Sequence, residues 1–208
     1  MTINIINSIT PPFLKKGEYI EIVAPAKFIN KLDLQEAINF LEKEGLRVKL
    51  NDSIFDKKDV FAGSISHRKK TFQDALNNSE TKAILFARGG YGSIQILDFL
   101  DFSFFQKNPK WLIGFSDTTS ILTHILTCYN IKSIHAPMAY NFKKTDSRMV
   151  QKLIDILMGN WSSLNVRYHS LNKTGSCSGL LIGGNLSILS SLAGSSTLRQ
   201  LSNSKYIF

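Results

Sequence analysis

The chain has 208 residues, 43% hydrophobic and 20% charged, with a formal charge of +9. That length and balance suit a folded α/β-sized core and exclude a disordered or low-complexity chain. No run of about eighteen apolar residues occurs, and no basic segment leads into an apolar block, so the expectation is a cytoplasmic protein without membrane association. The basic residues are scattered in pairs such as Lys15-Lys16, Lys57-Lys58, Lys69-Lys70 and Lys143-Lys144. They read as solvated surface, not as a nucleic-acid footprint. Cys128 and Cys177 lie far apart with no metal-like spacing and are expected to be reduced thiols.

The predicted elements alternate along the chain. Residues 19–24 form a β-branched run closed by Pro25, a strand followed by a loop. Residues 32–44 carry Leu34, Ala37, Ile38 and Leu41 at helical spacing, with Gly45 as the stop. Residues 46–50 alternate like a strand, so the first fifty positions read β-α-β. Residues 52–66 are polar and loop-like. A helix follows over 67–77, with Phe72, Ala75 and Leu76 on one side. Residues 83–87 are a compact apolar strand running into Arg88-Gly89-Gly90-Tyr91-Gly92. A helix over 94–100 is capped by Ser93 or a neighbour. Residues 111–114 are another buried strand, 117–128 another helix, and 131–135 a last strand halted by Pro137. A helix over 149–158 ends at Gly159.

This alternation predicts an α/β fold with a mostly parallel sheet flanked by helices over residues 1–158. Residues 159–178 are polar and read as an interdomain connector. Residues 179–208 read as the beginning of a second, incomplete C-terminal α/β domain. Its last residues resemble a strand without a partner, and Leu186, Ile188, Leu189 and Leu192 are expected to be left exposed.

Chemistry concentrates in loops that follow strands, where open parallel sheets bind ligands. In Gly114-Phe115-Ser116-Asp117-Thr118, a serine stands at the turn from a buried strand into a helix. The first amides of that helix lack intrahelical partners and could hold a developing oxyanion. A nucleophile elbow has this logic, although its G-x-S-x-G form has a second glycine that is missing here. Two roles stay open on local grounds: Ser116 as nucleophile, or Ser116 or Asp117 as a helix N-cap. Arg88-Gly89-Gly90-Tyr91-Gly92 lacks the lysine and Ser/Thr of a phosphate loop and does not meet the dinucleotide fingerprint. It fits a loop supplying an oxyanion amide, or an ordinary tight turn. Of the four histidines, His124 falls on a packed helix face and reads as structural, and His67 and His169 lie in polar stretches and read as exposed. His135 ends a strand and could be a general base or shape the loop beside Pro137. No pattern supports a metal site.

Taken in order, Val23-Ala24-Pro25-Ala26, Arg88-Gly89-Gly90-Tyr91-Gly92, Gly114-Phe115-Ser116-Asp117-Thr118, His135-Ala136-Pro137 and Gly183-Gly184-Asn185-Leu186 resemble the LD-carboxypeptidases, a family of serine peptidases. The resemblance implies an N-terminal parallel α/β domain, a C-terminal domain closing a cleft, and a Ser-Glu-His triad needing neither metal nor cofactor. Ser116 would be the nucleophile. The backbone amides of Gly90 and Asp117 would form the oxyanion hole. Arg88, Gly89, Tyr91 and His135 would bind substrate or shape the loops. The implied partner is a murein tetrapeptide that loses its terminal D-alanine in cell-wall recycling, and the implied assembly a homodimer. The family's glutamate and histidine match no residue here and would fall beyond residue 208, so this chain is expected to be inactive by itself. The alternative is a non-catalytic α/β module that binds a peptide or small molecule.

Overall fold

The computed structural model describes residues 8–160, 163, 165, 167–176, 178–199 and 206–207. Cys177 and Phe208 lie outside the described residues. Five strands, β1 (Tyr19–Val23), β2 (Arg47–Leu50), β3 (Thr81–Phe86), β4 (Trp111–Gly114) and β5 (Ile134–His135), form one sheet. All its pairings are parallel, in the order β2-β1-β3-β4-β5. The central strand β3 is apolar on both sides because helices cover both faces, which is why it reads as a continuous run without alternation. Ile20, Ile22, Leu85 and Ile113 face α1 (Lys31–Lys43) and α6 (Ser147–Leu157), through Leu34, Ala37, Leu41, Leu153 and Ile154. Val23, Ile84, Phe86 and Leu112 face α2 (Ile65–Asn77) and α5 (Thr119–Tyr129), through Phe72, Ala75, Leu76, Ile121 and Ile125.

Several elements depart from their predicted form. Helix α2 begins before His67 because the Ser64 hydroxyl accepts the His67 amide at 3.1 Å. His67 is consequently half-buried, its Nε2 lying 2.8 Å from the Ser53 carbonyl, and not exposed as expected. A short helix, α4 (Ser103–Lys107), follows α3 (Ser93–Leu97) and buries Phe105. Strand β5 has only its last two predicted residues, since Ile131 bridges to Ile9.

Toward the C-terminus, β6 (Leu180–Leu181) pairs in parallel with β7 (Tyr206–Ile207), so the final run does have a strand partner. Helices α7 (Leu186–Ser191) and α8 (Ser196–Arg199) pack against α5. Leu186 is exposed as expected, but Leu192 is buried and Ile188 and Leu189 are half-buried. His124 on α5 places Nδ1 3.0 Å from the Thr197 hydroxyl, and burial holds its pKa below the ordinary histidine value. Cys128 is a free, half-buried thiol.

At the amino ends of the strands, Lys110 is only 3% exposed. Its ammonium donates to the Ala75 carbonyl at 3.1 Å and the Asn78 carbonyl at 2.6 Å, closing the C-terminus of α2. Desolvation pulls its pKa from 10.5 down to about 8, against the attraction of Glu21. Between these two values the unfolded chain holds a proton that the folded chain has released, so folding stability rises with pH in that window. Compared with Lys110→Met, the unaltered chain should gain roughly 2–3 kcal/mol between pH 8 and pH 10.5 in urea unfolding. Parallel pH profiles for the two proteins would contradict this.

Candidate active site

The sheet order reverses between β1 and β3, so the loops leaving these strands diverge and open a crevice at their carboxyl ends. The neighbouring β4 ends at Gly114. A β-carbon there would stand 2.5 Å from Thr118 Oγ1 and 2.7 Å from the Phe86 ring, so the chain passes too closely for any side chain. Phe115 is extended, and Ser116 then turns into the left-handed region at φ +58°. Thr118 Oγ1 donates to the Phe115 carbonyl at 2.9 Å and ties off the turn, after which residues 116–118 coil tightly into α5. Left-handed backbone is uncommon for a residue other than glycine or asparagine and marks a turn held by its surroundings.

The two side chains considered as caps for α5 do not cap it. Thr118 occupies that position and makes no side-chain cap. Asp117, 2% exposed, instead turns its carboxylate to a different helix, where Oδ2 accepts the Ser93 amide of α3 at 2.9 Å. The N-cap of α3 is Gly92, and Ser93 is its first helical residue; the buried Ser93 hydroxyl has no partner among the described residues. Asp117 thus joins the serine turn to the glycine loop.

A residue that sequence reasoning missed completes this junction. Arg68 of α2 is 1% exposed and lies beneath both loops. Nη1 donates to the Pro25 carbonyl at 2.8 Å and the Gly92 carbonyl at 2.9 Å, and Nη2 donates to Gln95 Oε1 at 2.7 Å. The guanidinium also stands 4.7 Å from the Phe61 ring centre. Desolvation lowers its pKa from the ordinary arginine value, and the charge of Asp117 pulls the other way without a direct ion pair. Nothing local announced this role, because Arg68 opens the run Arg68-Lys69-Lys70 and reads as the solvated face of a helix.

Arg88, Gly89, Gly90 and Ser116 line one open cleft of about 210 Å³, together with Lys27, Met138, Tyr140 and others that the sequence did not single out. Gly89 lies directly against Ser116: a β-carbon on it would be 3.4 Å from Ser116 Oγ. Among the described residues, the amides of Gly90 and Asp117 donate to no protein acceptor, and no side chain hydrogen-bonds Ser116 Oγ. Arg88 stacks its guanidinium 4.6 Å from the centre of the Tyr140 ring. Tyr91 is half-exposed and packs beside Phe61 at 6.3 Å, outside the cleft lining. His135 is exposed at the end of β5, edge-on to Phe115 at 6.2 Å, and also lies outside the lining. A larger cavity of about 450 Å³ opens at the amino ends of the strands, away from Ser116. Among the described residues no three His, Cys, Asp or Glu side chains gather as a metal site would require, and no helix is long and apolar enough to cross a membrane.

The fold and the cleft define a class first: a parallel α/β protein with a serine on a left-handed turn beside a glycine loop. The LD-carboxypeptidase N-terminal domain matches residues 20–136, and the chain belongs to that family. It is 31% identical over 189 residues to a probable murein peptide carboxypeptidase of Bacillus subtilis, a match covering 88% of this chain and 59% of the relative. It is 28% identical over 186 residues to a murein tetrapeptide carboxypeptidase of Pseudomonas aeruginosa, covering 84% of this chain and 60% of that one. Among solved structures, a muramoyltetrapeptide carboxypeptidase from Oxalobacter formigenes superposes with a TM-score of 0.75 at 25% identity, over 86% of this chain and 61% of that chain. The microcin C7 self-immunity protein MccF shares the fold, with a TM-score of 0.76 at 22% identity over 89% of this chain and 65% of that chain. The chain therefore spans about six-tenths of the length of the curated relatives named here.

Proposed function

We propose that this chain carries the nucleophile half of an LD-carboxypeptidase that removes the terminal D-alanine from murein tetrapeptides during cytoplasmic cell-wall recycling. The carrying observation is the left-handed turn at Ser116, set against Gly89 with two unengaged amides at hand. In this reading Ser116 Oγ attacks the carbonyl of the last peptide bond. The amides of Gly90 and Asp117 hold the oxyanion, and its collapse breaks the C–N bond. D-alanine leaves as the amine with the proton that Ser116 gave up, relayed by the base of the implied triad. Water then hydrolyses the acyl-serine to release the tripeptide. Gly89 and Arg88 shape the cleft floor, while Tyr91 and His135 stand at its margin. Residues 1–158 form the nucleophile-bearing domain, 159–178 the connector and 179–208 the opening of the second domain. A possible homodimer is part of the same reading.

Ser116 needs a base to be nucleophilic at neutral pH. The family's glutamate and histidine match no residue of the 208, and His135 makes no hydrogen bond to Ser116. The expected outcome is that the 208-residue chain binds a murein tetrapeptide in calorimetry but releases no D-alanine in a coupled assay. Release that vanishes in Ser116→Ala would keep the peptidase reading and overturn the inactivity of the isolated chain. Absence of both binding and release would overturn the peptidase reading itself.

A further inference from the structure

The cleft beside Ser116 is charged in one sense only. Its lining contains Lys27 and Arg88 and not one Asp or Glu. Asp117 is near in sequence to the serine, but its carboxylate is buried and committed to the Ser93 amide.

The two cations are not equivalent. Arg88 is occupied, with its guanidinium over Tyr140 and a long 3.5 Å contact from Nη1 to the Phe28 carbonyl. Lys27 is held at its backbone by a bridge to Phe61. Its methylenes lie across Gly90: a β-carbon at Gly90 would come within 2.6 Å of Lys27 Cγ and Cδ and 3.1 Å of Cε. The bare face of Gly90 is therefore the channel along which Lys27 reaches the cleft. Among the described residues, Lys27 forms no ion pair and its ammonium has no acceptor. A lysine side chain laid over the loop that carries the proposed oxyanion amide, with no anion of its own, is placed to receive one from a ligand.

Resting on the peptidase reading above, we propose that Lys27 reads the free C-terminal carboxylate of the substrate. A peptide bound with its last carbonyl at Ser116 presents two oxygen sites to the enzyme. The scissile carbonyl belongs to the amides of Gly90 and Asp117. The terminal carboxylate lies one residue further on, within reach of a flexible lysine stem that already crosses Gly90. Lysine suits this task because a point charge on a mobile stem tolerates a carboxylate in more than one orientation. Lys27 then makes the site an exopeptidase site: a peptide continuing past that residue, or ending in an amide, leaves the ammonium without its counter-charge.

The test compares a murein tetrapeptide ending in free D-alanine with the same peptide ending in D-alanine amide, by calorimetry on the 208-residue chain. The acid should bind about 10- to 100-fold more tightly, the range of one charge-assisted hydrogen bond. The difference should shrink at high salt and disappear in Lys27→Met, while Lys144→Met, at an exposed lysine outside the cleft lining, retains it. Thermal unfolding of Lys27→Met at the wild-type temperature confirms that the variant is folded. Equal binding of acid and amide, or discrimination that survives Lys27→Met, overturns the assignment while leaving the peptidase reading intact. Failure of both peptides to bind overturns the reading and the assignment together.

Discussion

Arg68→Met is expected to lower folding stability by about 3–5 kcal/mol, the range for removing one partner of a buried polar and charged network. The substitution keeps the stem and deletes only the guanidinium, so the effect measures its hydrogen bonds and charge. It leaves the Pro25 carbonyl without its donor and removes one of the two donors on the Gly92 carbonyl, where the Gln95 amide remains at 3.1 Å. It also frees the Gln95 side chain and strands the buried Asp117 carboxylate without its nearby cation. Pro25, Gly92 and Asp117 are buried, so water cannot easily replace the lost partner there. Arg68→Lys should recover little, because a single ammonium cannot reproduce the planar fork that spans both loops and Gln95. Urea unfolding gives the measurement. A loss below about 1 kcal/mol for Arg68→Met would show that the network relaxes or hydrates freely, contrary to this description.

Gly92→Ala should have the second largest effect, about 2–4 kcal/mol of destabilisation. Two independent causes add. At φ +139° the backbone occupies a region that residues with a β-carbon enter only with strain. The new methyl would also sit 2.6 Å from Arg68 Nη1 and 3.1 Å from the Cα of Ala26. The first neighbour is a side chain fixed by its hydrogen bonds and the second is backbone, so neither yields easily. Because Gly92 and Arg68 belong to one junction, the double variant Arg68→Met/Gly92→Ala should cost less than the sum of the two. Strict additivity in urea unfolding would mean that the loop and the arginine are energetically separate.

The parts of this protein legible in its sequence are those whose cause is local. Residues 111–114 read as strand β4 because a buried strand with helices on both sides is apolar without interruption. The loops after β1, β3 and β4 were legible because proline, clustered glycines and a serine before a helix each punctuate a chain. What escaped was set by groups distant in sequence. Arg68 sits 43 positions from Pro25, and its burial follows from two carbonyls that meet only once the sheet has formed. Asp117 is one of two candidate caps of its own helix by the ordinary capping rule, yet its carboxylate accepts the Ser93 amide of α3, 24 positions away. Lys27 carries no local signal in the sequence, and only its path over Gly90 sets it apart from the other lysines. The sequence extends strand β5 back to Ile131, which is as apolar as a strand residue should be, but the partner of Ile131 is Ile9.

The left-handed turn at Ser116 sets two kinds of selection against each other. A side chain at φ +58° carries a conformational cost of roughly 1–2 kcal/mol that glycine would not. A lineage selected for folding alone would drift toward glycine at position 116, and nothing in the packing would resist, since the half-buried hydroxyl bonds no other side chain among the described residues. In the proposed reading, the chemistry asked of the hydroxyl is what sets serine against this conformational preference.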